Sequence, residues 1–467
     1  MADIVIVGGG IGGSAAALLL ARDGHAVTLF DRDPGPVPAD VDEAWWRWNR
    51  RSVGQFRLAH LMLARGTNIL TDELPDVATA LRAAGGLDLN PVEAKMAEGV
   101  PGEPQPSDRR FTMLTARRTT IEWVLATTLD QEPGVTVHRG EPVAGLLSGD
   151  SQGGVVSVGG VRTESGDDVG ADLVVDASGR RSSTPRWLAD IGARAPLEVE
   201  EDSGFAYYGR FYRSADGSLP AMKAPLLSPI GSMSVLCIPG DNGTWATTLY
   251  ASSGDKPLRR LRDADVFEAV VRECPEHGHW VDGEPISDMV SMAGVVDRTR
   301  TFVIDGEPVA AGLLPIADSW ACTNPSLGRG MTLGLMHVVL LRDLVRALGH
   351  DNVALSREFG ERTAAELGPW HDATRAMDRI RVAEMEAIAS GQEVPPNPRA
   401  EFGAVLARAA DRDVEATRLF AEIQGCLAPA DEVLGREGVL DTILALAGDH
   451  ADPIPGPDRA RLVELVS

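Results

Sequence analysis

Residues 3–31 constrain this chain more than any other stretch. They read as an apolar strand, Ile4-Val5-Ile6-Val7, then the turn Gly8-Gly9-Gly10-Ile11-Gly12-Gly13, a helical run over 14–22, and a second strand, Val27-Thr28-Leu29-Phe30, ending on Asp31. That order predicts a βαβ unit carrying the fingerprint of a dinucleotide site. Gly8 permits the tight turn, Gly10 lets the backbone approach a pyrophosphate, and Gly13 lets helix and strand pack closely. The helix start, with Ile11 and Gly12, offers free N–H groups and a positive dipole end to phosphates. Asp31 is placed to accept hydrogen bonds from a ribose, and Arg32 follows it at the same strand end.

At 467 residues the chain exceeds a single compact core and predicts two or three structural units. Its formal charge of −24 argues against nucleic acid and anionic membrane surfaces as partners. An anionic ligand must therefore meet local arginines, because Lys95, Lys223 and Lys256 are the only lysines. Cys237, Cys274, Cys322 and Cys426 lie far apart without zinc-like spacing, so buried reduced thiols and no metal site are expected. The fingerprint strand begins at residue 3, which leaves no room for a signal peptide, and no apolar run is long enough to span a bilayer. The expectation is a cytoplasmic protein whose partner is a small molecule; nothing in the sequence selects an oligomeric state.

Further along, 33–43 is rich in Pro and acids and reads as a loop, and 91–108 as an irregular stretch. A helix is expected over 119–129 and a short strand at 135–138; 171–175 is a buried strand running into Asp176-Ala-Ser-Gly179-Arg180. Over 203–213, 231–238 and 244–252 the pattern has period two with no helices between, as in an antiparallel sheet. Phe205, Tyr207 and Phe211 share one face of the first of these strands, and Tyr208, Arg210 and Tyr212 the other. The βα alternation returns at 302–317, followed by a helix over 331–348 ended by Gly349. From 356 onward the pattern is helical, broken by Pro395-Pro396-Asn397-Pro398. The expected fold is α/β: a discontinuous Rossmann-like unit over 1–190 and 290–350, an inserted antiparallel-sheet substrate domain over 191–289, and a C-terminal helical extension over 351–467.

Three further motifs fit the same dinucleotide. They are Ala116-Arg117-Arg118 at a helix start, Asp172-Leu-Val-Val-Asp176-Ala-Ser-Gly179-Arg180, and Gly312-Leu-Leu-Pro-Ile-Ala317-Asp318 continuing through Asn324-Pro325-Ser-Leu-Gly328-Arg329-Gly330-Met331. With these in order, residues 1 to about 350 resemble the aromatic-hydroxylase class of FAD-dependent monooxygenases, and most closely the branch of polyketide hydroxylases and polyether epoxidases. The resemblance implies the glutathione-reductase/hydroxylase type of FAD-binding fold. It implies that Asp318 bonds the ribityl chain of FAD, and that Pro325, Gly328, Gly330 and Met331 belong to the segment beside the isoalloxazine ring. It also implies FAD contacts for Arg118 and for Arg50, or Arg51 one residue on, and a share in cofactor binding for Asp176 and Gly179. This chain has Ala317 where the family usually has glycine before the aspartate, which predicts crowding at the ribityl contact.

The function implied is insertion of one oxygen atom, by hydroxylation or epoxidation, into a small, largely apolar organic substrate through a flavin C4a-hydroperoxide. NAD(P)H is the implied electron donor and specialised metabolism the implied setting. The cofactor carries the difficult chemistry, and the sequence singles out no catalytic acid, base or nucleophile. Tyr207 and Phe211 are the candidate substrate contacts, on a sheet expected to cover the flavin. Two other readings share the fold: a flavin-dependent dehydrogenase or reductase, and a flavin-bearing protein without turnover. Trp46-Arg-Trp48-Asn-Arg lacks the Ile-Pro of the halogenase signature, so Trp45, Trp46 and Trp48 are read as packing residues. His60 is read as a structural histidine.

Overall fold

Gly13 and Gly8 set the geometry of the first layer. In this computed structural model, which describes residues 1–152, 154–349, 351–448 and 453–467, a Cβ on Gly13 would lie 1.9 Å from the carbonyl oxygen of Gly8. Gly8 itself has φ +110°, and a Cβ there would lie 2.5 Å from the carbonyl oxygen of Ala177. Only glycine allows both approaches.

The chain enters through β1 (Asp3–Val7), α1 (Ile11–Arg22) and β2 (Ala26–Asp31), then returns with α2 (Arg118–Gln131), β3 (Val135–Arg139) and β4 (Leu173–Asp176). It next builds the strands β5 (Phe205–Arg213), β6 (Leu227–Ile230), β7 (Met233–Pro239) and β8 (Thr244–Ser252), and passes through β9 (Val296–Thr301). It rejoins the first layer at β10 (Leu313–Pro315) and α3 (Gly330–Leu348). The first sheet is parallel, with order β10-β4-β1-β2-β3. Its last strand arrives after the antiparallel sheet has been made, as the returning βα pattern predicts. Helix α1 is buried from Gly13 to Ala21 because the sheet lies on one side of it and α3 on the other. A helix apolar all round needs that double cover.

The second sheet runs β6-β7-β8-β5, and Val290–Ala293 adds to the outer side of β5. Period two predicts one buried face on β5, yet both faces are covered. Tyr208 and Tyr212 pack with Phe267 and Trp280 above the sheet, while Phe205 and Tyr207 pack with Tyr250 and Met385 beneath it. Met385 comes from the C-terminal helices: α4 (Asn352–Glu366), α5 (Gly368–Ser390), α6 (Pro398–Ala410) and α7 (Val414–Gln424). Alternation reports which side a residue faces and says nothing of what a distant helix lays over that side. All four cysteines are buried and unbridged. Among the described residues, no helix is long and apolar enough to cross a membrane.

A fully buried ion pair ties the start of α2 to the connection between β7 and β8. Arg117, immediately before α2, donates from its backbone N–H to Asp241 Oδ1 at 2.6 Å and from Nη2 to Oδ2 at 2.7 Å. Thr120 Oγ1 adds a bond at 2.9 Å, and both charged side chains are fully buried. The guanidinium also lies 4.9 Å from the centre of the Trp45 ring. Burial pushes the Asp241 carboxyl up, but the bonds and charge of Arg117 pull it further down, to a net value below the ordinary range. Removing one partner of such a pair strands the other charge. Asp241→Ala is expected to lower stability by about 3–5 kcal/mol, read as a fall in the urea unfolding midpoint.

Candidate functional site

A cavity of about 2220 Å³ opens along the edge of the parallel sheet, runs past the start of α2 and continues beneath the antiparallel sheet. Gly8 to Gly13 and Asp31 to Pro34 form one end. No side chain caps the start of α1 at Gly10, so the first-turn N–H groups are free to face it. Helix α3 also begins on the cavity, at Gly330, and is likewise without a side-chain cap. Cβ atoms added at Gly10, Gly328 or Gly330 would meet nothing within 4 Å, leaving bare backbone facing the open space. Two positive helix ends thus converge on one cavity.

Asp31 lies within a buried network. Arg50 donates from Nη2 to Asp31 Oδ2 at 2.5 Å, from Nε to Asp33 at 3.2 Å, and from Nη1 to Glu122 at 2.9 Å and to the Gly9 carbonyl at 3.0 Å. Arg118 closes the far side through Nε to Glu122 at 2.6 Å. Burial holds the Asp31 carboxyl above the ordinary range even with Arg50 against it. The Asp31 carboxylate accepts from Arg50 and from the Asp33 N–H, so lone pairs remain for ribose hydroxyls. Asp33 and Glu122, which complete the network, carry no motif signal in the sequence. His60 accepts from Arg118 at Nε2 (3.1 Å) and donates from Nδ1 to the Leu58 carbonyl (2.8 Å), an assignment set by its partners. Burial and the Arg118 charge push its pKa down to about 3, so the imidazole is neutral.

Asp318 differs from Asp31 and Asp33, whose carboxylates are hydrogen-bonded. It lines the cavity and has no hydrogen-bond partner among the described residues. Burial raises its carboxyl, and the charges of Arg118 and Arg180 only partly offset this. A carboxylate so placed lacks donors, which the hydroxyl groups of a ribityl chain would supply. The free helix ends, the bare glycine backbone and this unsatisfied acid together fit FAD. Arg32, Arg51, Arg180 and Arg181 also line the cavity without an ion-pair partner among the described residues, giving positive charge for a pyrophosphate.

Of the remaining expected site residues, Ile11, Gly12, Gly179, Pro325, Gly328 and Met331 line the cavity. Asp176 is not among the residues lining it. Its carboxylate is buried below the turn and accepts from Ser178 N–H and from the hydroxyls of Ser178, Ser182, Thr184 and Ser319, at 2.5–3.2 Å. Those bonds use its lone pairs to organise residues 178–184. Tyr207 lines the cavity, with its hydroxyl donating to Asn324 Oδ1 at 2.9 Å. Phe211 is not among the lining residues: it packs edge-on against Trp45 at 5.0 Å, with Ala246 and Ile286. Ala407, Ala410 and Phe420 bring α6 and α7 to the cavity as well.

Ala317 has φ +51°, and its N–H donates to His337 Nδ1 at 3.1 Å. A left-handed backbone at that position explains the family's glycine: an L side chain costs about 1 kcal/mol there. Ala317→Gly is therefore expected to raise stability by about 1 kcal/mol, seen as a higher denaturation midpoint with an unchanged slope.

The NAD(P)-binding Rossmann-like domain family matches residues 6–37. The chain is 31% identical over 370 residues to kynurenine 3-monooxygenase of Salinispora tropica, covering 74% of this chain and 72% of that protein. It is 29% identical over 383 residues to protein Rv3254 of Mycobacterium tuberculosis, covering 78% and 75%. In fold it is similar to HpxO of Klebsiella pneumoniae, solved with FAD, at a TM-score of 0.56 and 13% identity over 95% of this chain and 99% of that one.

Proposed function

The chain belongs to the FAD-dependent monooxygenases, and from that premise we propose that it inserts one oxygen atom, by hydroxylation or epoxidation, into a small and largely apolar organic substrate, with NAD(P)H as electron donor. One observation carries this reading: the cofactor cradle and the underside of the antiparallel sheet share a single cavity. Its 2220 Å³ is about twice the upper end for one drug-sized ligand, which leaves room for a substrate beside a dinucleotide. In this reading, residues 1–190 with 290–350 hold the cofactor, 191–289 cover the substrate, and 351–467 form the helical region.

The chain's own groups have separate tasks. Gly8 to Gly13 and the start of α1 hold the pyrophosphate, Asp31 the adenosine ribose, and Asp318 the ribityl chain. Arg50 and Arg118 fix the acids around them. Bound FAD supplies activation of dioxygen and transfer of one of its oxygen atoms. Residues 325–331 and the start of α3 set the polarity around the ring, since a helix N-terminus favours negative charge. Tyr207, Leu236, Ile238 and Met292 from the antiparallel sheet, facing Leu63 and Met113, give the substrate region an apolar lining that excludes water.

Purified protein is expected to bind about one FAD per chain, to consume oxygen with NAD(P)H, and to return a product heavier by one oxygen. Protein that takes up no FAD overturns the reading; substrate reduction without oxygen gain assigns a dehydrogenase instead. Asp31→Ala is expected to weaken FAD binding about ten- to a hundred-fold, through loss of a charge-assisted hydrogen bond of about 1.5–3 kcal/mol. A fluorescence titration of the cofactor measures this directly.

A further inference from the structure

The helix α5 lies outside every motif of the cofactor site, yet it puts an acid beneath the segment that carries Pro325. Asp378 is 3% exposed. Its Oδ1 accepts from Ser326 Oγ at 2.5 Å and its Oδ2 from Asn324 Nδ2 at 3.1 Å. Asn324 in turn accepts from the Tyr207 hydroxyl at 2.9 Å, and its backbone N–H donates to Asp297 Oδ1 at 2.6 Å. Tyr207 and Ser326 both line the cavity. A continuous hydrogen-bonded chain thus runs from the C-terminal helices through the pocket segment to the substrate sheet.

We propose that Asp378 is a positioning residue for the cofactor, whose single proton reverses the Ser326 hydroxyl between facing the helix and facing the cavity. The proposal rests on the reading above that residues 325–331 border the flavin. The reversal follows from the donor inventory. Ionised Asp378 accepts from both neighbours, so the Ser326 O–H is committed to it. When Asp378 is protonated, one of its oxygens must donate. The Asn324 amide nitrogen has no lone pair to offer, so the proton goes to Oδ1 and Ser326 Oγ becomes the acceptor. The Ser326 hydroxyl proton is then free to point into the cavity as a donor to the bound ring.

The surroundings place this change within working pH. Burial raises the Asp378 carboxyl and Asp297 adds to the rise; the bonds from Ser326 and Asn324 and the charge of Arg329 oppose it, and the result is about 7. The ionisable groups facing it are Asp297 of β9, Arg329 at the start of α3, Tyr207 of β5 and Tyr250 of β8. Burial keeps both phenols neutral. Arg329 is held by Thr374 at 3.0 Å. Asp297 is also raised by burial, but it bonds the backbone of Asn324 and has no bond to Ser326. The sign is set by linkage: a carboxyl raised in the folded state contributes stability in its protonated form, and that contribution is lost as pH rises through about 7. FAD, which gains a donor only in the protonated form, binds with proton uptake and more tightly on the acid side.

The test is a titration of FAD-loaded protein between about pH 5 and about pH 9, following the visible flavin bands and the FAD dissociation constant. Wild type is expected to show one transition near pH 7, with affinity about two- to ten-fold tighter on the acid side. Asp378→Asn, whose amide donates to Ser326 at every pH, is expected to lose the transition and match the acid form of wild type. Ser326→Ala also loses the transition, and does so without altering a buried charge. Asp297→Asn keeps it. A wild-type transition that survives in both Asp378→Asn and Ser326→Ala overturns the proposal, as does flavin-loaded wild type with no transition. Wild type that binds no FAD overturns instead the cofactor reading on which it rests.

Discussion

The pairing of Arg117 with Asp241 holds the two sheets at the spacing on which the cavity depends. Two fully buried charges are tolerated only because each supplies the other's solvation, helped by Thr120 and a backbone N–H. The pair ties the start of α2, in the parallel-sheet unit, to the tight connection between β7 and β8. The cavity is the space left between layers fixed at that point. Arg117 and Arg118 are adjacent in sequence yet serve opposite sides: one meets the antiparallel sheet, and the other joins the acids around Asp31.

That acid network has its own balance. Asp31, Asp33 and Glu122 surround Arg50 and Arg118, so three negative charges face two positive ones. The excess negative charge suits the hydroxyl donors of a ribose and would repel phosphates. Arg32, Arg51, Arg180 and Arg181, without ion-pair partners among the described residues, and the two open helix ends lie along the same cavity and supply the opposite sign. A strongly acidic protein can thus bind an anionic cofactor through a locally positive wall. Selectivity along the wall comes from which acids keep free lone pairs, more than from net charge.

Particular residues show where sequence reading succeeds and where it stops. The glycines of residues 8–13 and the parallel strands were legible because their requirements are local and steric. Asp176 and Asp318 look alike in sequence, each ending a buried strand before a small-residue turn. The structure separates them: hydroxyls from its own turn and from Ser319 saturate Asp176, while no described residue hydrogen-bonds Asp318. Tyr207 and Phe211 share a face, but four residues along a strand are about 13 Å apart. One therefore reaches the cavity while the other ends beneath Trp45. Helical spacing predicts a C-terminal extension, but only the tertiary structure shows Phe420 at the cavity and Asp378 among its supporting hydrogen bonds.

The sequence by itself determined the parallel dinucleotide unit, the break in alternation that inserts an antiparallel sheet, and the helical end. Each follows from periodicity or from a backbone approach that only glycine permits, and both are properties of neighbouring residues. The partners of the ionisable groups were decided only in the tertiary structure. Arg50 finds Glu122, Arg117 finds Asp241 and Ser326 finds Asp378 across 72, 124 and 52 positions of chain. Charge and hydrogen bonding act through space over a few ångströms, so no local pattern records which acid a given arginine or hydroxyl will meet.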